Sequence, residues 1–214
     1  MIEPQNVEQV MSKRLIYIDY DTPVLEAMRL MLQHGIAHIL VKREGGRAKV
    51  FSERDLLDML PEKLGQLGTI HSGPAASSRP VPMQLKTKIR EAAKMMLSKK
   101  AKLLLVSTKE PLGVLTATDL AYSLPFTEGG QPKLKSAMTG QVEEVEYGVP
   151  IEAVIQRMRE KRIGSVMVNR HHKRFGIFTE RDLLSILVPP AADLSVSVGI
   201  YCRRPVIPGW QRIR

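Results

Sequence analysis

Three stretches of this 214-residue chain follow one pattern, and a chain that repeats itself folds as copies of one small unit. The first runs from Thr22 as TPVLEAMRLMLQHGIAHILV, KREGGRAK and VFSERDLLDML. The second runs from Thr87 as TKIREAAKMMLSKKAKLLLV, STKEPLG and VLTATDLAYSL. The third runs from Val149 as VPIEAVIQRMREKRIGSVMV, NRHHKRFG and IFTERDLLSIL. Their aspartates Asp55, Asp119 and Asp182 stand 119 − 55 = 64 and 182 − 119 = 63 residues apart. Chance does not hold that spacing twice while also matching the flanking apolar pattern.

Each unit opens with apolar residues at helical spacing: Val24, Leu25, Met28 and Leu32 in the first, Ile151, Val154, Ile155 and Met158 in the third. Pro23 and Pro150 suit a helix start, where a missing N–H costs little. A nearly continuous apolar run follows, HILV, LLLV or SVMV, as in a strand covered on both faces. Gly45-Gly46, Glu110-Pro111 and His171-His172-Lys173 mark the next turns. A second strand then leads into a short helix. A short extended segment, residues 15–18 or 142–145, precedes the unit. The sequence therefore predicts an α+β fold of β-α-β-β-α units, with small sheets packed face to face and helices outside.

The most specific element is an apolar strand running into Ser/Thr-x-x-Asp: VFSERD, GVLTATD and GIFTERD. With the element order, it resembles the CBS domain (cystathionine β-synthase domain) over roughly residues 10–188. The resemblance implies regulatory modules in which two repeats pair strand face to strand face and hold adenosine-containing ligands in the clefts between them. On that basis residues 1–128 are expected to pair repeats 1 and 2, and residues 129–190 to form repeat 3. Near the C-terminus, Arg204-Pro205-Val206 matches Arg79-Pro80-Val81, and Arg212-Ile213-Arg214 matches Lys88-Ile89-Arg90. Residues 191–214 thus read either as the truncated start of a fourth repeat or as a basic tail. In the first case repeat 3 lacks a partner within the chain, and a homodimer is expected.

The Ser/Thr-x-x-Asp element has two physical readings. One is a capping box, in which hydroxyl and acid satisfy free amides at a helix start, stabilising the helix by about 1 kcal/mol. The other is a ligand grip. Residues three apart lie on one side of the helix, a carboxylate accepts both hydroxyls of a ribose, and the free amides favour a phosphate. Capping boxes prefer Glu or Gln at the acid position, whereas this chain has Asp each time. In the CBS family these positions typically contact ribose and phosphate. The resemblance therefore assigns Ser52 and Asp55, Thr116 and Asp119, and Thr179 and Asp182 to ligand binding. Arg54 and Arg181 are candidate phosphate contacts, or else solvated helix side chains; repeat 2 has Thr118 there. Adenine is expected against Ile36, His38, Leu103, Ile163 and Ser165, positions that core packing would explain as well. Repeat 1 has Lys49 where Gly113 and Gly176 permit a tight turn and close ligand approach. Lys49 either narrows that cleft or adds a phosphate contact.

The net charge of +10 and pI near 9.8 favour an anionic partner. Lys and Arg nevertheless occur in every segment, without a long basic block or interleaved aromatics, which weighs against a nucleic acid. The single Cys202 excludes an internal disulfide. The chain opens without a basic-then-apolar leader, and no apolar run approaches the roughly 20 residues that cross a bilayer. A cytoplasmic protein away from membranes is expected. The five histidines do not combine with Cys202 or carboxylates at metal-ligand spacing, and no Gly-x-Ser-x-Gly, Walker A or dinucleotide fingerprint is present. The expectation is a regulatory protein, not an enzyme, that needs no cofactor or metal. Its ligand would be AMP, ADP, ATP or S-adenosylmethionine, and it would act in trans on a protein partner. The competing reading is a basic nucleic-acid-binding or scaffolding protein that uses the repeats as structure only.

Overall fold

The structure, a computed structural model, describes residues 6–108, 110–123, 140–189, 192–204 and 206. Repeat 1 comprises β1 (Tyr17–Asp19), α1 (Val24–His34), β2 (His38–Lys42), β3 (Lys49–Ser52) and α2 (Glu53–Met59), followed by a one-turn α3 (Ser72–Ala75). Repeat 2 comprises β4 (Val81–Gln84), α4 (Ile89–Lys99), β5 (Leu103–Ser107), β6 (Pro111–Thr116) and α5 (Ala117–Ser123). Repeat 3 comprises β7 (Glu144–Glu146), α6 (Ile151–Lys161), β8 (Ser165–Arg170), β9 (Lys173–Thr179) and α7 (Glu180–Leu187). In every sheet the first strand runs parallel to the second across its helix, and the second runs antiparallel to the third across its turn. This is the α+β architecture of three small sheets that the repeats predict.

The first helix of each repeat forms because its apolar residues make one stripe. Helix α1 buries Val24, Ala27, Met28 and Met31, and α6 buries Ile151, Val154, Ile155 and Met158. These helices end in left-handed residues whose amides reach back to carbonyls of the last turn. Gly35 does this in repeat 1, at φ 65°. Lys100 at φ 49° and Arg162 at φ 53° do it in the other two, where a side chain costs about 1 kcal/mol.

Repeats 1 and 2 meet sheet to sheet, burying Leu40, Val50 and Leu103 with Leu15, Tyr17, Leu105 and Val114 around them. Repeat 3 joins differently, by packing α6 and α7 against α1 and α2. Leu56, Leu57 and Leu60 of repeat 1 share one core with Leu183, Leu184 and Leu187 of repeat 3. Each such fully buried side chain contributes about 2 kcal/mol of hydrophobic stabilisation. The helices of repeat 1 are therefore outside their own sheet pair yet inside the molecule. Two crossed ion pairs brace this interface, Arg54 to Glu180 at 2.7 Å and Arg181 to Glu53. These are contacts of charge rather than aligned hydrogen bonds, since the carboxylate oxygens involved lack hydrogen-bond geometry. Burial raises the pKa of both glutamates. On the sheet side of repeat 3, Val142 is 49% exposed, and Met167 and Ile177 are half-buried where repeat 1 buries Leu40 and Val50.

Each repeat is also overlaid by a connecting segment that the repeat pattern alone does not reveal. Residues 67–78 lie over repeat 1: Ile70 and Leu67 carbonyls take the Val24 and Leu25 amides at 2.8 and 2.9 Å, and Ser78 bridges to Val50. Residues 194–203 repeat this over repeat 3, with Val196 and Leu194 taking the Ile151 and Glu152 amides and Arg203 bridging to Ile177. Over repeat 2 the overlay comes from the N-terminal segment, where Val7 donates to Thr87 and Ser12 bridges to Val114.

Candidate functional site

The chemistry is decided where the third strand of each repeat becomes a helix. In all three, one carboxylate oxygen of the aspartate accepts both the backbone N–H and the hydroxyl of the residue three positions earlier. For Ser52 and Asp55 both distances are 2.7 Å, for Thr116 and Asp119 both are 2.7 Å, and for Thr179 and Asp182 they are 2.8 and 2.7 Å. The capping box is thus formed three times with Asp in place of Glu, and the hydroxyl is committed to it.

The second oxygen separates the three. Asp55 Oδ1 accepts the Ser77 N–H at 3.0 Å, and Asp182 Oδ1 accepts from Arg203 Nε at 2.6 Å. Both aspartates are buried, with 4% and 5% exposure. Asp119 is half-buried, and its Oδ1 has no partner among the described residues. The overlaid segments explain this. The residue before the strand bridge is Ser77 over repeat 1, Met11 over repeat 2 and Cys202 over repeat 3. Only the Ser77 amide is free to reach the carboxylate, because those of Met11 and Cys202 donate to Val7 and Val198. Over repeat 3 the side chain of Arg203 fills the vacancy. Its counterpart over repeat 2 is Ser12, too short to do so.

Asp119 and Thr116 face a cleft of about 510 Å³ between repeats 1 and 2. Ile36, His38, Leu103 and Arg181 line the same cleft, which makes six of the thirteen sequence candidates. Arg14, Ile16, Ala101 and Lys102 line it too and were not anticipated; the only signal for Arg14 and Lys102 is a cation just ahead of an apolar run. Burial, reinforced by the Lys102 charge and opposed by Asp55, holds the His38 pKa down to about 4, so its imidazole is neutral at pH 7. The cleft therefore offers apolar walls, one neutral imidazole, one open carboxylate oxygen and the cationic side chains of Arg14 and Lys102, beside an Arg181 already paired with Glu53. Apolar walls with a few placed polar groups suit a flat ring, and the open oxygen suits a donor hydroxyl.

A smaller space of about 320 Å³ lies beside Ser52, also between repeats 1 and 2. Arg54, Arg79, Lys99, Lys100 and Lys102 line it, while Asp55 is buried and does not. A larger cavity, about 1120 Å³, opens where the three repeats converge and is lined by Arg54, Lys100, Lys102, Arg159 and Arg162 with Asp58, Glu62 and Glu160. Arg54 and Arg181 are the two arginines of the crossed ion pairs, which engage their charge within the protein. In repeat 3, Ile163 packs at the edge of the main core, and Ser165 pairs with Thr179 at an exposed strand start. Neither joins Asp119.

Gly113 and Gly176 lie within β6 and β9 and not in the turns before them, and they serve a purpose other than close ligand approach. A Cβ on Gly113 would stand 2.7 Å from the Ser12 carbonyl oxygen, and one on Gly176 would stand 2.9 Å from that of Arg203. They admit the overlaid segment. Lys49, in the corresponding place, ties that segment down by donating to the carbonyls of Gly73 at 2.7 Å and Ala76 at 3.1 Å. Among the described residues, no three His, Cys, Asp or Glu side chains converge as a metal site, and no helix is long and apolar enough to cross a membrane.

Comparison with solved structures finds a protein of Methanocaldococcus jannaschii, described as a candidate archaeal homologue of γ-AMPK. It matches with a TM-score of 0.81 at 14% identity, over 94% of this chain and 83% of that one. A protein of Burkholderia ambifaria, described as a candidate signal-transduction protein with CBS domains, matches with a TM-score of 0.51 at 18% identity, over 55% of this chain and 92% of its own. A CBS-domain containing protein from Agrobacterium tumefaciens matches with a TM-score of 0.50 at 17% identity, over 56% and 98%. At such identities the likeness is one of fold. No curated protein sequence matches. The CBS domain family matches residues 7–62, 75–125 and 134–189. With three matches spanning most of its length, the chain belongs to the CBS domain family.

Proposed function

We propose that this protein is a ligand-sensing regulator that takes an adenine nucleotide or a related adenosine ligand in the cleft between repeats 1 and 2. The observation that carries the reading is the open Oδ1 of Asp119, the one carboxylate oxygen of the three motifs that no described protein group occupies. A ribose hydroxyl donating to it would make a charge-assisted hydrogen bond in a partly desolvated setting. Ile36, His38 and Leu103 supply the apolar and neutral surface for adenine. CBS domains are regulatory modules, and binding at the junction of two repeats would favour one arrangement of them and so alter affinity for a protein partner in trans.

The remaining parts of the reading follow from packing and composition. Residues 1–128 act as one paired module, with residues 129–190 as the third repeat docked on its helices. Residues 191–214 begin as the counterpart of the segment that leads into repeat 2. The half-covered sheet face of repeat 3 supports a homodimer, and the single buried Cys202 suits the cytoplasm. A thermal-shift screen against AMP, ADP, ATP and S-adenosylmethionine tests the reading, because a ligand of the folded state raises the apparent Tm. At least one of the four should raise it in the parent protein and not in Asp119→Ala. No shift with any of them contradicts the proposal.

One observation favours a second reading. The tip of the β8–β9 hairpin presents Arg170, His171, His172, Lys173 and Arg174 consecutively to solvent, and its three fixed cations suit a nucleic-acid backbone. Binding of that kind weakens steeply with salt, by a log–log slope of about −0.9 per phosphate contacted. A salt titration with duplex DNA and RNA separates the two readings.

A further inference from the structure

We infer that the helix pair of repeat 2, α4 with α5, docks an acidic amphipathic helix of a protein partner. The inference rests on the reading of a protein partner in trans, and not on the ligand at Asp119. In repeat 1 the same side of the helix pair is closed by repeat 3. Met28 and Leu57 are fully buried there, as are their counterparts Ile155 and Leu184, and Leu32 packs against the shared core. Arg159, at the place of Leu32 in repeat 3, reaches Glu62 of repeat 1 at 2.8 Å. Repeat 2 keeps the helices and lacks the cover. Its equivalents are Ala93, half-buried, and Ala121, exposed. Leu97, at the place of Leu32, is 80% exposed, and Tyr122, next to Ala121, is 86% exposed. No other large apolar side chain among the described residues is as exposed as these two. Scattered singly, such residues need no explanation; on a face that both sister repeats use for docking, they mark an interface.

Charge decides the occupant. Arg90 and Lys94 share the Leu97 side of α4, and Lys99 and Lys100 close its end. All four are exposed, and none has a carboxylate within ion-pair distance among the described residues. The one acid of α4, Glu91, stands about 120° around the helix from Leu97. An apolar strip beside unpaired cations complements a helix with leucines at i, i+3, i+4 and i+7 and acids next to them. A second copy fits poorly, because a two-fold contact through this face brings the α4 cations of both copies together. A bilayer fits poorly too: the strip offers only Leu97 and Tyr122 as large apolar groups, whereas a helix lying in a membrane buries a whole apolar face.

Fluorescence anisotropy with a labelled synthetic peptide tests this in the absence of nucleotide. The peptide is an acidic amphipathic helix of roughly 18 residues, long enough to hold its helix in water, and its control has lysine in place of every glutamate. The parent protein should bind the acidic peptide at least about tenfold more tightly than the control, and less tightly as salt rises. Leu97→Ser/Tyr122→Ser should lose at least about tenfold in affinity, and Arg90→Glu/Lys94→Glu should reverse the preference between the peptides. Ile200→Ser, at an exposed apolar residue outside repeat 2, should bind as the parent does. All these side chains are exposed, so circular dichroism should show the parent fold in each variant. Equal binding of the two peptides, or undiminished binding by Leu97→Ser/Tyr122→Ser, overturns the inference. So does a dimer in sedimentation velocity, or binding to phosphatidylserine–phosphatidylcholine vesicles, that the same double variant abolishes; the occupant is then a second copy or a membrane. Failure here leaves the Asp119 cleft to the nucleotide screen, and failure of that screen leaves this face standing.

Discussion

Asp119 and Asp55 occupy the same place in the same motif and make the same capping box, yet one faces a cleft and the other is sealed. Both give one oxygen to the hydroxyl and amide of the residue three earlier. Asp55 gives its other oxygen to Ser77 of the overlaid segment, and Asp119 keeps its own. The motif therefore sets the geometry of a site, and the segment lying over the repeat sets whether that site is open. Repeat 3 makes the same point by another route, since a side chain rather than an amide closes it.

The comparison breaks most readily at stability. Asp55→Ala leaves the Ser52 and Ser77 donors unmet in a buried place and should cost about 3 kcal/mol of unfolding free energy. Asp119→Ala, half-buried and with one fewer partner, should cost about half as much. Urea denaturation of the two variants measures this, and equal losses would mean that the extra contact at Asp55 carries no weight.

A somewhat smaller effect sharpens the environment of the open site. His38 has a folded pKa of about 4 against an ordinary 6.5. Between those values the unfolded chain holds the extra proton, so stability should fall as pH drops from 6.5 toward 4. The full shift would amount to about 3 kcal/mol, and partial exposure reduces this to about 2 kcal/mol. His38→Leu should flatten the profile in that window. An unchanged profile would place the imidazole in solvent instead of against the cleft wall.

Much of this arrangement is legible in the residues. The repeat, the unit order and the three hydroxyl–aspartate pairs follow from apolar spacing and from Asp55, Asp119 and Asp182. Which aspartate is open does not, because it depends on whether the amides of Ser77, Met11 and Cys202 are already spent, a matter of long-range backbone geometry. Gly113 and Gly176 look like residues that make room for a ligand, and the same freedom instead makes room for the chain itself. Arg54 and Arg181 read as phosphate contacts because the pattern within one repeat cannot show that Glu180 and Glu53 approach from another. Lys102 is not marked out in the sequence for the same reason, since its position matters only once three repeats converge on it.

The most direct test of the account is a calorimetric titration of ATP into the parent protein, Asp119→Asn and Asp55→Asn. The account predicts one equivalent bound per chain, affinity at least about tenfold weaker in Asp119→Asn, as the loss of a charge-assisted bond implies, and affinity within about twofold of the parent in Asp55→Asn, because that side chain already has all its partners within the protein. An Asp119→Asn variant that binds as the parent does, or an Asp55→Asn variant that folds and loses binding, would contradict it.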